Sequence, residues 1–76
     1  MSYRVIIKDK YKEYKTKQEL TKDLIGVIQS RKVYPGMPRK ERNMITYSRT
    51  DDVNYLIFNS HYTVKDIVKA AGGELR

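Results

Sequence analysis

The chain contains no cysteine and no tryptophan, one histidine, one phenylalanine and two prolines. Without cysteine, neither a disulfide frame nor a thiolate metal site can staple the fold, so stability must come from packing and helix capping. The four glycines, Gly26, Gly36, Gly72 and Gly73, cannot be assembled into the spacing of a dinucleotide or P-loop phosphate cradle. Long apolar runs are missing too. Leu24 to Ile28, counting Gly26, and Tyr55 to Phe58 fall far short of the about 20 residues that a membrane-spanning helix needs. The opening Met-Ser-Tyr-Arg-Val lacks the apolar stretch of a secretory signal, so the expected location is the cytoplasm, or the host cytoplasm for a viral chain.

What is abundant is positive charge. Sixteen Lys and Arg stand against nine Asp and Glu, a net +7 on 76 residues. Such a surplus favours nucleic acid, anionic membranes or acidic proteins as partners. It is also concentrated. Between Arg31 and Arg49 there are six cations, Arg31, Lys32, Arg39, Lys40, Arg42 and Arg49, and the single acid Glu41. With 39% apolar and 33% charged residues the chain is neither membrane-like nor of the low-hydrophobicity type that stays unfolded. It reads as one small domain over residues 1–76, burying roughly 60% of the surface of its unfolded form.

Periodicity suggests the elements. Tyr3 to Lys8 alternates as a strand, with Tyr3, Val5 and Ile7 on one face, and Lys8-Asp9-Lys10 can turn the chain into a second short strand, Tyr11 to Lys15. Thr16 followed by Glu19 has the spacing of a capping box and predicts a helix from Lys17 to about Ser30, with Leu20, Leu24, Val27 and Ile28 as its apolar stripe. Gly26 inside that helix suggests the close approach of another backbone. Arg31 to Asn43, interrupted by Pro35-Gly36 and Pro38, reads as a long loop. Met44 to Arg49 and Val53 to Asn59 read as two strands of a hairpin turned at Thr50-Asp51-Asp52. Thr63 and Asp66 predict a second capped helix, stapled by Tyr62 onto Ile67, buried through Val64, Ile67, Val68 and Ala71 and ended by Gly72-Gly73. Glu74-Leu75-Arg76 is too short to predict as a strand. The expected fold is α+β: a small antiparallel sheet of three to four strands with two helices on one face, in the order ββαββα or βαββα. The other sheet face could then present Arg4, Lys8 or Tyr55 as a binding platform.

Catalytic and metal signatures are thin. His61 has no second histidine or cysteine near it in sequence to act as a positioned partner, and Asp51-Asp52 is explained by turn chemistry. Ser30, Ser48 and Ser60 lack the glycine frame of a nucleophile elbow. A small metal-independent ribonuclease using Arg, Lys, Tyr and His61 is a minor alternative, and no enzyme activity, cofactor or metal is expected. The central stretch has a definite physical reading. Arginine forks pair with phosphate or carboxylate, and Tyr34 and Tyr47 beside them can stack on unpaired bases. The sequence therefore predicts a nucleic-acid-binding protein, for DNA or RNA, acting through Arg31, Lys32, Tyr34, Arg39, Lys40, Arg42, Tyr47 and Arg49. The alternative is an inhibitor or adaptor of viral or mobile-element type that docks on an acidic protein surface with the same residues. Membrane-surface binding has less support, since neither predicted helix combines a basic face with a broad aromatic one. An unpaired sheet edge leaves homodimerisation open.

Overall fold

The alternation at the start of the chain becomes a hairpin. In the computed structural model, which describes residues 2–50 and 53–76, β1 (Tyr3–Ile7) pairs antiparallel with β2 (Lys10–Tyr14). Ile7 faces Lys10 across a two-residue turn whose Lys8 and Asp9 have φ of 48° and 67°, the sign pattern of a type I′ turn. The register puts Tyr3, Val5 and Ile7 on the same face as Tyr14, and Val5 and Tyr14 are buried there. Arg4, Ile6, Tyr11 and Glu13 occupy the opposite face. Glu13 accepts a hydrogen bond from the Tyr11 hydroxyl at 2.7 Å and lies 3.7 Å from Arg4. That open face is therefore not the platform expected: of Arg4, Lys8 and Tyr55 only Arg4 lies on it, paired to an acid.

The first predicted helix forms as α1 (Lys17–Ser30), and Thr16 caps it by accepting from the Glu19 amide at 3.1 Å. Leu20, Leu24 and Ile28 are buried against the rest of the core. Gly26 is exposed, and nothing lies within 4 Å of where a Cβ would stand. The expected close approach of a backbone at Gly26 is thus absent, and that glycine only weakens the helix.

The structure departs from the sequence reading in the middle of the chain. The predicted hairpin is replaced by two helices, α2 (Arg39–Ser48) and α3 (Val53–Phe58); Asp51 and Asp52 of its predicted turn lie outside the described residues. The reason is a stripe with a disguise. Glu41, Met44, Ile45 and Ser48 recur at helical spacing and all are buried, but one is an acid and one a serine, so the stripe does not look apolar. The β-branched and aromatic residues that suggested strands have only a weak preference, which packing overrides. The predicted loop consequently ends at Pro38, and Arg39 to Asn43 form the first half of α2.

The last helix, α4 (Val64–Ala70), has the complete capping box of Thr63 and Asp66, with Tyr62 and Ile67 both buried beside it. It ends in a Schellman motif: the Gly73 amide donates to Val68 O at 2.9 Å and the Gly72 amide to Lys69 O at 3.0 Å, with Gly72 at φ 80°. The chain then closes the sheet as β3 (Glu74–Leu75), antiparallel to β1 with Val5 opposite Leu75, giving the strand order β2-β1-β3. Gly73 permits this closure. A Cβ there would stand 2.4 Å from Ile7 Cγ1 and 2.9 Å from the Ile6 carbonyl, so no side chain fits. The fold is α+β: the described residues form a three-stranded antiparallel sheet with four helices, of which α1 packs against α2, α3 and α4. Among the described residues no helix is long and apolar enough to cross a membrane.

Candidate functional site

The basic stretch divides once it is folded. Arg31 follows the last turn of α1, and its Nη1 donates to Ala70 O at 3.0 Å and to Lys69 O at 3.5 Å. Both carbonyls lie in the last turn of α4, where a cation is favoured by the helix dipole; Lys69 O also accepts from the Gly72 amide. The same guanidinium lies 3.8 Å from Glu41, whose side chain is only 12% exposed. Arg49 performs the equivalent task for α1: its Nε donates to Gln29 O at 3.1 Å and its Nη2 to Arg31 O at 2.7 Å. The last turn of α1 contains no basic residue, so the cation at that helix end is supplied from α2. Gln29 returns the contact, donating from its side-chain amide to Ser48 O.

Lys40 is also engaged. Its Nζ lies 2.9 Å from Asp66 and ties the first turn of α2 to that of α4. Burial alone would raise the Asp66 pKa, but hydrogen bonds from Lys40 and from Thr63 outweigh it and hold the carboxyl below its ordinary value. Lys17 approaches the same corner, donating to Asn59 O at 2.9 Å; burial lowers its pKa, opposed by the charge of Asp66. At the other end of the molecule Asp23 accepts from Tyr14 and from Lys12, and both bonds lower its pKa while burial and the same bond raise that of Tyr14.

The remaining predicted cations point outward. Lys32, Arg39 and Arg42 are exposed, and none has a side-chain hydrogen bond or ion pair among the described residues. Their presentation is built by the loop. Tyr34-Pro35-Gly36-Met37 is a turn closed by the Met37 amide donating to Tyr34 O at 3.1 Å, with Gly36 at φ 89°. Met37 is buried and anchors the loop to the core, while Tyr34 stays 48% exposed on the outside. Arg39 and Arg42 then share the outer side of α2 with Thr46, opposite buried Glu41, Met44 and Ile45.

The chain matches no protein-family model, no curated protein and no solved structure. The assignment of its surface therefore rests on geometry and charge.

Tyr47, the last of the eight predicted residues to place, joins a cluster that the sequence reading did not anticipate. Its ring centroid lies 4.4 Å from that of Tyr55 and 6.3 Å from that of Tyr62, while Tyr55 and Tyr62 are 5.9 Å apart. The His61 ring meets Tyr62 edge-on at 5.3 Å. Tyr62 is buried, Tyr55 is 38% exposed, and Phe58, one helical turn beyond Tyr55, is 73% exposed. Phe58 shares the exposed side of α3 with Tyr55 through their three-residue spacing. That shared side is legible in the sequence only if α3 is recognised as a helix, since on a strand those residues would face opposite sides.

Proposed function

We propose that the protein binds nucleic acid through the outer side of α2 and the loop before it, with Lys32, Arg39 and Arg42 neutralising phosphates and Tyr34 available to stack. The observation that carries this reading is the phase of α2. Its one acid, Glu41, is turned into the core beside Arg31, while Arg39 and Arg42 face solvent without a carboxylate partner among the described residues. A solvated helix face more often mixes charges of both signs; this one presents cations only, which suits a polyanion.

The same division sets the size of the effect. Three outward cations, in place of the larger set the sequence suggested, imply a log K against log salt slope of about −2 to −3. The test is fluorescence anisotropy of labelled DNA and RNA, single-stranded and duplex, at two salt concentrations, with Arg39→Glu/Arg42→Glu as the variant. Salt-sensitive binding that the charge reversal weakens at least tenfold supports the reading. No binding to any of these at low salt overturns it. So does a protein partner retained in a nuclease-treated pull-down and lost on the same charge reversal, which would assign the face to an acidic protein surface.

A further inference from the structure

Phe58 is the most exposed large apolar side chain among the described residues, and an isolated ring in water contributes nothing to a thin core. Its place on α3 gives it a use, one helical turn from half-exposed Tyr55 and so on the same side of that helix. Tyr47 and Tyr55 lie ring against ring, inclined at 45°, and both rest on buried Tyr62, so their orientations are fixed before any ligand arrives. Preset rings lose little rotamer freedom on binding. Along α2, Arg39, Asn43 and Tyr47 follow at intervals of four residues and form one stripe, with Arg39 about 12 Å from Tyr47 along the helix axis. The aromatic patch therefore continues the basic face.

We infer that Tyr47, Tyr55 and Phe58 form a base-stacking platform adjoining Arg39, so that the preferred ligand is a single strand of nucleic acid. This rests on the nucleic-acid reading above and narrows it. Within a duplex the faces of the bases are covered by their neighbours, and aromatic rings on a protein surface find only edges and backbone. An unpaired base offers its π-face, and stacking on an aromatic side chain is tolerant of base identity. The arrangement thus matches phosphates on guanidinium groups at one end and bases on rings at the other. A second copy of the chain is a poor occupant. A two-fold contact through this patch would bring the unpaired Arg39 and Arg42 of two chains, each of net charge +7, toward one another.

The test compares oligo-dT, oligo-U and a duplex of equal length by anisotropy, using the intact chain and Phe58→Ala, Phe58→Tyr and Tyr55→Ala. Circular dichroism and a urea midpoint check that each variant is folded. Phe58→Ala is expected to weaken single-strand binding roughly five- to hundredfold, with duplex binding changed less than twofold and Phe58→Tyr restoring most of the loss. Tyrosine emission, undisturbed by tryptophan in this chain, should be quenched by oligo-dT and not by the duplex. Equal losses on single strand and duplex, or no loss on either, overturn the platform; if Arg39→Glu/Arg42→Glu still abolishes binding, the basic-face reading survives that failure. Absence of binding to every nucleic acid overturns both. A concentration-dependent dimer dispersed by Phe58→Ala would assign the patch to self-association and likewise overturn the platform.

Discussion

Arg31 and Arg49 differ from Arg39 and Arg42 in what their charges meet, although all four belong to one short basic stretch. The first pair donates to backbone carbonyls at the ends of α4 and α1, and Arg31 also balances buried Glu41. The second pair meets only solvent among the described residues. Local charge density therefore overstates the surface available for recognition, because part of it serves as helix capping supplied from a distance. A net charge is a property of composition, but a binding face is a property of helical phase.

The sharpest way to break this contrast is Arg31→Ala. Removing a charged donor from two carbonyls and leaving a mostly buried Glu41 without its cation should lower folding stability by about 2 kcal/mol, read from the urea midpoint at pH 7. Arg31→Lys should recover only part of that loss, since a single ammonium does not reproduce the planar fork. Arg49→Ala should cost about 1 kcal/mol, because its site is more exposed and Gln29 still joins α1 to α2. An Arg31→Ala variant as stable as the parent would show that the capping geometry contributes nothing.

Acid titration extends the comparison to Lys40, the third internally engaged cation. Asp66 and Asp23 have folded pKa values below their unfolded ones, so their contribution is complete above the unfolded value of about 4 and is lost as pH falls through the folded value. Stability should therefore decline below about pH 4, and Asp66→Asn should flatten that decline. The smallest expected effect belongs to the outward pair. Arg39→Ala and Arg42→Ala should each leave stability within about 0.5 kcal/mol of the parent while weakening any polyanion binding. A larger stability loss there would erase the distinction between the two pairs.

The parts of the fold that could be read directly are those governed by local chemistry. Thr16 and Thr63 announced the starts of α1 and α4, the alternation of Tyr3, Val5 and Ile7 announced β1, and Gly72-Gly73 announced the end of α4. The middle of the chain was obscured because α2 buries Glu41 and Ser48 among its core contacts, so its apolar positions taken alone resemble a strand. Reading Met44 to Asn59 as a hairpin then hid the partnership of Tyr47 with Tyr55. The eight candidate residues stand close together in the sequence, but which of them hold helix ends and which face solvent is not legible there. Nothing in the one-dimensional sequence says that the Arg31 guanidinium meets Ala70, thirty-nine positions away.

The closure of the sheet by β3 has a kinetic consequence. β1 and β2 are joined by two residues and can pair within microseconds, whereas β3 must return across nearly the whole chain to reach the other side of β1. Joining segments about 70 residues apart costs about 2 kcal/mol more chain entropy than a ten-residue loop, so this pairing waits for the helices to bring Gly73 against Ile7. Until then the central strand Tyr3–Ile7 has a bare edge with Val5 and Ile7 still uncovered. The interval before α4 docks is when this chain is most prone to misassembly with its own copies, and conditions that slow docking should favour aggregation over folding.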